Sequence, residues 1–179
     1  MAFTLALMFA VVITGPPGAG KSAVATAVHD LLGDAGVANA LMEVDELERC
    51  YPPRDEARVL ENLATICASY RDTGYELLFV TATIEADAYR ERLLAAVGAT
   101  AHLLIRVEAD PGTLERRIRE REPVEWSGTD GLVAAAIRLA AEMPSLGGVD
   151  LVLSTEQQPP AVLAAQIRDA IADRVASSE

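Results

Sequence analysis

The chain has 179 residues, 51% of them hydrophobic and 23% charged, which suits one globular domain and argues against an intrinsically disordered chain. Its net charge of −12 argues against binding to nucleic acid or to a membrane surface, because an acidic surface repels anionic partners. Two cysteines, Cys50 and Cys67, are too few for a secreted disulfide framework and indicate a reducing, cytoplasmic location.

The apolar opening of the chain, residues 1–13, has no basic segment before it and continues directly into a glycine-rich turn. A signal peptide would have that basic segment and a cleavage site, and a membrane-spanning helix would be longer. The β-branched run from Ala10 to Thr14 therefore predicts a first strand that is buried on both faces.

The rest of the chain alternates between residues at helical spacing and short apolar runs. Helical spacing predicts helices, and short apolar runs between turn residues predict strands. After the first strand we expect a helix through Leu32 ended by glycines, a strand 37–44, a helix from Val59 that ends near Gly74, a strand 77–81 and a helix 86–97. A strand 102–107, a helix 111–121, a helix 132–143, a strand 149–153 and a helix 160–175 follow. This order predicts an α/β three-layer sandwich, a five-stranded parallel sheet with helices on both faces. Residues 1–179 contain no linker or repeat, so a single domain is expected.

The turn after the first strand satisfies the pattern G-x-x-x-x-G-K-[ST], which defines a P-loop. Its residues are Gly15, Pro16, Pro17, Gly18, Ala19, Gly20, Lys21 and Ser22, with Ala23 following in the helix. Glycines let successive N–H groups point at a polyanion, and the helix adds its positive N-terminal end. Lys21 is expected to reach the β- and γ-phosphates and Ser22 to ligate Mg²⁺. A nucleotide-binding P-loop protein is therefore predicted; a glycine-rich turn without a ligand is the weaker alternative.

Two carboxylates, Glu43 and Asp45, stand at the end of the second predicted strand. Side chains two residues apart on a strand share a face, so both carboxylates are expected to point towards the phosphates. A carboxylate in that position can hold Mg²⁺ and its water shell, or accept the proton of an attacking hydroxyl group. A solvated acidic loop would explain the same two residues.

The P-loop followed by Glu43-Val44-Asp45 resembles the small-molecule P-loop kinases, namely the shikimate, gluconate and adenylylsulfate kinases and the chloramphenicol phosphotransferase group. The resemblance covers the whole chain in order and length. It implies a sheet order of 2-3-1-4-5, ATP as the donor and a small-molecule hydroxyl as the acceptor. It also implies that Asp45 contacts that hydroxyl and that Glu43 helps to hold Mg²⁺, although the family usually has Asp at the first position.

Arginines supply the remaining candidate site residues. The segment 80–92 is similar to the third strand and following turn of adenylylsulfate kinases, which implies that Arg90 binds an anionic acceptor; a surface arginine explains it equally. Arg54, in the loop after the acidic pair, would suit the same acceptor. The segment 110–121 resembles the family's helix that leads into a lid, which implies that Arg117 and Arg121 neutralise the transferring group. Alternating Glu and Arg residues also fit a solvated, ion-paired face.

The resemblance implies a short lid at about 122–130. Its only tryptophan, Trp126, would either cover a ligand or pack against the body of the protein. The turn 154–159, after the last predicted strand, lies where the family contacts adenine.

We therefore expect an enzyme, a kinase that transfers the γ-phosphoryl group of ATP to a small-molecule hydroxyl with Mg²⁺. A regulatory GTPase would need an N/T-K-x-D motif, which is missing, and a motor-type ATPase would need a strand ending in an acid far downstream. A nucleotide-dependent switch or slow ATPase without an acceptor stays open. So does a nucleoside monophosphate kinase, which would be expected to have a longer acceptor-binding insertion. We expect a monomer or a homodimer.

Overall fold

The structure, a computed structural model, describes residues 8–177, so residues 1–7 of the apolar opening lie outside the described residues. The elements in chain order are β1 (Phe9–Thr14), α1 (Lys21–Asp34), β2 (Asn39–Glu43), α2 (Val44–Glu48), α3 (Glu56–Asp72), β3 (Leu77–Thr81), α4 (Asp87–Val97), β4 (Ala101–Glu108), α5 (Pro111–Arg121), α6 (Thr129–Glu142), a 3₁₀ turn (Met143–Ser145), β5 (Leu151–Ser154) and α7 (Pro160–Ala176).

The five strands form one parallel sheet in the order β2-β3-β1-β4-β5, which confirms the predicted fold and strand order. The central strand β1 is buried along its whole length because strands pair with both of its edges and helices cover both of its faces. All strands point the same way, so their carboxyl ends lie along one edge of the sheet, where α/β proteins bind ligands.

Two apolar cores, one on each face of the sheet, follow from the alternation of side chains along β1. Val11 and Ile13 point into a core that includes residues of α1, α5 and α7. Ala10 and Val12 point into the opposite core, which includes residues of α3 and α4. Each face is therefore closed by helices, and the P-loop lies between them at the end of β1.

Several element boundaries differ from the sequence-based predictions. The predicted second strand continues to residue 44, but β2 ends at Glu43 and a short helix, α2, follows at once. The helix after the P-loop passes through Gly33 and the chain turns at Gly36, which has a left-handed φ of +76°. Helix α6 begins at Thr129, three residues before its predicted start, so the lid shortens to residues 122–128. Within residues 8–177, no helix combines the length and apolar character needed to cross a membrane.

Candidate active site

The P-loop follows β1 directly and curls against the neighbouring strand β4. A Cβ atom on Gly15 would lie 2.3 Å from the carbonyl oxygen of Val107, so only glycine fits this close approach. Gly18 and Gly20 have φ angles of +79° and +92°, which are accessible to glycine and strained for other residues. These glycines turn the chain so that helix α1 begins at Lys21 with its N-terminal end at the loop. The loop and the helix end together form an anion-binding surface.

A pocket of about 350 Å³, called here the P-loop pocket, opens at this loop. Its lining residues are Pro17, Gly18, Gly20, Lys21, Ser22, Ala23, Asp45, Arg117, Arg121 and Leu132. The other three predicted nucleotide-binding residues do not line it. Gly15 instead contacts Lys21, Ala19 is fully buried in the core, and Pro16 faces a separate cavity at the end of β4.

Lys21 is the only lysine in the chain, and its side chain is held at the wall of this pocket. Its Nζ donates hydrogen bonds to the carbonyl oxygen of Gly15 at 2.9 Å and to Oγ1 of Thr83 at 3.0 Å. Burial lowers the pKa of Lys21, and the nearby carboxylate of Asp45 acts in the opposite direction. An anionic ligand in the pocket would therefore stabilise the charged ammonium group.

Ser22 and Glu43 lie together beside the pocket, as the sequence-based hypothesis of a Mg²⁺ site requires. The Ser22 hydroxyl donates to Oε2 of Glu43 at 2.9 Å, so the two oxygens can share one cation. Protein sites for Mg²⁺ usually supply one or two oxygen ligands and leave the others to phosphate and water. Within the described residues, no cluster of three or more His, Cys, Asp and Glu side chains could hold a metal ion. The residues present thus fit a Mg²⁺ ion that enters with a nucleotide.

Asp45 reaches the P-loop pocket by a different route from the one expected. The argument that it shares a strand face with Glu43 is wrong, because β2 ends at Glu43 and Asp45 lies in the first turn of α2. The helical turn nevertheless places Asp45 in the lining of the P-loop pocket. It also lines a larger cavity on the other side, so Asp45 stands where the two cavities adjoin.

Arg117 connects three parts of the site. Its guanidinium donates to the carbonyl oxygen of Gly18 at 3.2 Å, and to Oγ1 and the carbonyl oxygen of Thr155, both at 2.8 Å. The Thr155 hydroxyl in turn lies 2.9 Å from the carbonyl oxygen of Ala19. Helix α5, the P-loop and the turn after β5 are therefore fixed to one another. Thr155 belongs to no motif, and only its place in the turn expected to contact adenine pointed to it.

Arg121 is the second predicted lid arginine, and it is less constrained than Arg117. It lines the P-loop pocket and forms a 2.6 Å ion pair with Glu122, the next residue in the chain. Both predicted arginines thus lie at this pocket. The lid tryptophan does not: Trp126 is 45% exposed and its ring lies against Gly128. It lines a small surface cavity of the lid itself.

The larger cavity, about 640 Å³, is called here the acidic cavity. Its charged lining residues are Asp45, Glu48, Glu56, Glu85, Arg54 and Arg92. Tyr89 and Thr83 also line it, and Thr83 accepts the hydrogen bond from Lys21 that was described above. Of the predicted acceptor-binding residues, Asp45 and Arg54 are present in this lining.

Arg90, the other residue predicted to bind an acceptor, lies elsewhere. Its guanidinium bonds the carboxylate of Asp87 at 2.6 Å and the carbonyl oxygen of Gly147. These contacts fasten α4 to the segment before β5, and Arg90 is absent from the lining of the acidic cavity. Arg92 occupies that lining instead and forms a 2.7 Å ion pair with Glu56. The structure thus places Arg92, and not the predicted Arg90, at this cavity.

The carboxylates of the acidic cavity alter the proton affinities of their neighbours. Burial raises the pKa of Glu48, and the charges of Asp45 and Glu56 raise it further. Burial also raises the pKa of Tyr89 to about 12, with added contributions from Glu48, Glu56 and Asp45. Burial is the largest cause of both pKa shifts, and the neighbouring carboxylates add to it.

Comparison with protein-family models assigns the chain to one family. The family model described as "AAA domain" matches residues 11–140, which include the P-loop, α2 and the acidic cavity. None of the curated proteins compared with the chain matches it.

Solved structures of two small-molecule kinases and of a resistance protein share the fold. The APS kinase of Mycobacterium tuberculosis, in complex with AMPPNP and APS, has a TM-score of 0.60 at 19% identity, over 92% of this chain and 98% of that one. The shikimate kinase of Acinetobacter baumannii, in complex with shikimate, has a TM-score of 0.56 at 17% identity, over 95% and 96%. The tunicamycin resistance protein of Deinococcus radiodurans has a TM-score of 0.64 at 18% identity, over 92% and 95%. At these identities the likeness concerns the fold.

Proposed function

Since the chain belongs to the AAA domain family, we propose that it is a kinase that transfers the γ-phosphoryl group of ATP to a small-molecule hydroxyl. One observation carries the proposal. The P-loop pocket and the acidic cavity adjoin at Asp45, and the hydrogen bond from Lys21 to Thr83 joins their linings. A nucleotide switch needs only the first of these cavities, whereas a kinase needs a second cavity beside the phosphates.

On the donor side, the P-loop and Lys21 bind the phosphates of ATP, and Ser22 and Glu43 hold Mg²⁺. The bound ion would neutralise phosphate charge during transfer. Arg121, at the rim of the P-loop pocket, is available to contact the transferring group. Arg117 has its guanidinium engaged by Gly18 and Thr155, so we assign it to positioning the P-loop. This differs from the direct role that the family resemblance implied.

On the acceptor side, Asp45 takes the proton of the attacking hydroxyl group. The hydroxyl oxygen forms a bond to the γ-phosphorus as the bond to the bridging oxygen of ADP breaks, and the proton moves to the Asp45 carboxylate. General-base catalysis of this kind contributes about 10²- to 10⁴-fold to a rate. The acidic cavity, at about 640 Å³, is large enough for a metabolite-sized acceptor.

The neighbouring solved structures support the same reaction class. One holds AMPPNP and APS together and another holds shikimate, so proteins of this fold bind a nucleotide analogue and small substrates. The cysteines Cys50 and Cys67 are free thiols, in keeping with the proposed cytoplasmic location. We further propose that residues 1–179 act as one catalytic domain.

The test is ADP release from MgATP with a panel of hydroxyl-bearing metabolites, with an acceptor-free reaction as the control. We expect one chemical class of acceptor to increase ADP release at least about tenfold, with a phosphorylated product visible by mass spectrometry. Slow ADP release that no acceptor changes, together with tight MgATP binding, would instead support the nucleotide switch. A response confined to nucleoside monophosphates would support the monophosphate kinase.

A further inference from the structure

The charged residues of the acidic cavity are not balanced. Four carboxylates and two guanidinium groups line it, which leaves a net charge of −2. Arg92 is already neutralised by Glu56 at 2.7 Å. Glu85 is held by Arg138, which lies outside the lining, at 3.2 Å, and Arg138 also bonds Glu142. The charges of the lining that remain for a ligand are therefore those of Asp45, Glu48 and Arg54.

Glu48, like Asp45 and unlike Glu56 and Glu85, has no ion-pair partner in the part of the chain that the structure describes. It is the last residue of α2, and no side chain among the described residues forms an ion pair or hydrogen bond with it. Besides burial, repulsion by the carboxylates of Asp45, on the same helix, and of Glu56 raises the pKa of Glu48. A cation beside Glu48 would relieve that repulsion, whereas an anion would increase it.

Arg54 is the one lining cation without an ion pair among residues 8–177, and it would favour an anionic ligand. It lies in the loop between α2 and α3 and is exposed, as are Asp45 and Glu48, whereas Tyr89 is half-buried. One unpaired guanidinium against the two unpaired carboxylates of Asp45 and Glu48 leaves a net charge of −1 for a ligand to meet. The second arginine expected to attract an anion, Arg90, is fastened to Asp87 and Gly147.

We propose that the phosphoryl acceptor is a hydroxyl compound that carries a cationic amine, and that Glu48 is the residue that selects the amine. This inference rests on the proposed kinase function and names the class of its substrate. Glu48 accepts hydrogen bonds from the ammonium group, and the Tyr89 ring offers an aromatic surface beside it. Asp45, on the same helix as Glu48, faces the hydroxyl group that is to be phosphorylated.

Acceptors that differ in one functional group, and through it in charge, test the proposal. One set consists of glucosamine, glucose and glucuronate, and a second consists of 2-aminoethanol, ethylene glycol and glycolate. A broad panel of hydroxyl-bearing metabolites, grouped as cationic, neutral or anionic, accompanies them. We expect acceptor-stimulated ADP release from the amine-bearing compounds, with kcat/KM at least about tenfold above that of the matched neutral compound.

The outcomes separate this inference from the proposed function. Stimulation mainly by neutral or anionic acceptors would overturn the charge class and leave the kinase function standing. Stimulation by no acceptor at all would count against the kinase function and would remove the basis of the inference with it.

A matched pair of variants tests Glu48 itself, with the best amine-bearing acceptor of the panel as the probe. Glu48→Gln should raise the KM for that acceptor about tenfold and leave the KM for MgATP within about twofold, because only the acceptor side loses a charge. Glu46→Gln is the control: Glu46 lies on the same helix, pairs with Arg49 and does not line the cavity. Equal KM values for the amine acceptor in Glu48→Gln and the unmodified protein would overturn the role of Glu48.

Discussion

The P-loop pocket and the acidic cavity lie side by side but have opposite chemical character. The P-loop pocket presents a glycine-rich backbone, Lys21 and two arginines, whereas the acidic cavity presents four carboxylates against two arginines. In the P-loop pocket, Arg117 contacts Gly18 and Thr155, Arg121 contacts Glu122, and the only carboxylate in the lining is Asp45. This separation of charge sorts ligands: a polyanion is favoured on one side of Asp45 and disfavoured on the other.

The two regions also differ in how they are built. Eight consecutive residues form the P-loop, and their conformation is set by glycines that tolerate no side chain. The acidic cavity takes its residues from five segments: α2, the loop after it, α3, the turn after β3, and α4. Its shape therefore depends on the packing of the whole domain, whereas that of the P-loop depends mainly on its own sequence. Substitutions in the two regions should have correspondingly different effects.

The largest effect is expected at Lys21, in the P-loop pocket. Lys21→Ala should lower acceptor-stimulated kcat/KM about a thousandfold, because it removes the ammonium group that stabilises the transferring phosphoryl group. ADP release measures the rate, and circular dichroism confirms that the variant is folded. Lys21→Arg, which keeps the charge but changes its position, should also be strongly impaired. Activity of Lys21→Ala within about tenfold of the original would remove Lys21 from the proposed mechanism.

A smaller effect is expected at Asp45, where the two cavities adjoin. Asp45→Asn should lower acceptor-dependent transfer about a hundredfold, since the amide cannot take the proton of the hydroxyl group. Binding of MgATP, measured by calorimetry, should change by no more than about threefold. Glu46→Gln, one residue further along α2, is the matched control and should retain full transfer. If Asp45→Asn transferred as fast as the original protein, Asp45 would not be the general base.

A variant of Arg117 tests whether the stability of the P-loop conformation depends on residues that are distant in the sequence. Arg117→Ala removes three hydrogen bonds to Gly18 and Thr155, which should lower the free energy of unfolding by about 2 kcal/mol and Tm by about 4–8 °C. Arg116→Ala, the neighbour that pairs only with exposed Glu120, should cost no more than about 0.5 kcal/mol. Thermal melting of both variants gives the comparison. Equal Tm values would mean that the hydrogen bonds of Arg117 to Gly18 and Thr155 contribute nothing measurable to stability.

The same contrast explains what the sequence could predict. The P-loop motif and the strand pattern are local, so Lys21, Ser22 and the five strands followed from them, and the family resemblance supplied the strand order. The acidic cavity is not local, and most of its lining was missed. Glu48, Tyr89 and Arg92 carry no motif, and their meeting depends on how α2, α3 and α4 pack.

Arg90 and Arg92, both in α4, illustrate why the lining of the acidic cavity was hard to predict from sequence. Residues two apart on an α-helix point to nearly opposite sides, so choosing an arginine two positions away reverses the face that it presents. Arg92 lines the cavity and Arg90 faces the segment before β5. Asp45 is the opposite case: the expected strand became a helix, yet the residue still reached the P-loop pocket. The position of Asp45 directly after β2 was enough to bring it to the P-loop pocket, because the carboxyl ends of all strands lie along one edge of the sheet.

The smallest predicted effect concerns Glu48 and needs no acceptor. The pKa of Glu48 is raised in the folded protein by burial and by Asp45 and Glu56, so its ionised form destabilises the fold. Glu48→Gln should therefore raise Tm slightly at pH 8, by about 1–2 °C, the range expected for a surface substitution. The gain should vanish as the pH falls below the ordinary value of 4.5, where Glu48 is protonated in both folded and unfolded protein.

The matched control again is Glu46→Gln, which gives up an ion pair with Arg49 and should not raise Tm at either pH. A lower Tm for Glu48→Gln at pH 8 would show that the Glu48 carboxylate has a stabilising partner, and the contrast between the two cavities would then weaken. A higher Tm that persists below pH 4.5 would assign the gain to something other than charge. A higher Tm that is confined to higher pH is the result expected if the ionised Glu48 carboxylate lowers the stability of the fold. Binding groups are often kept at such a cost in stability.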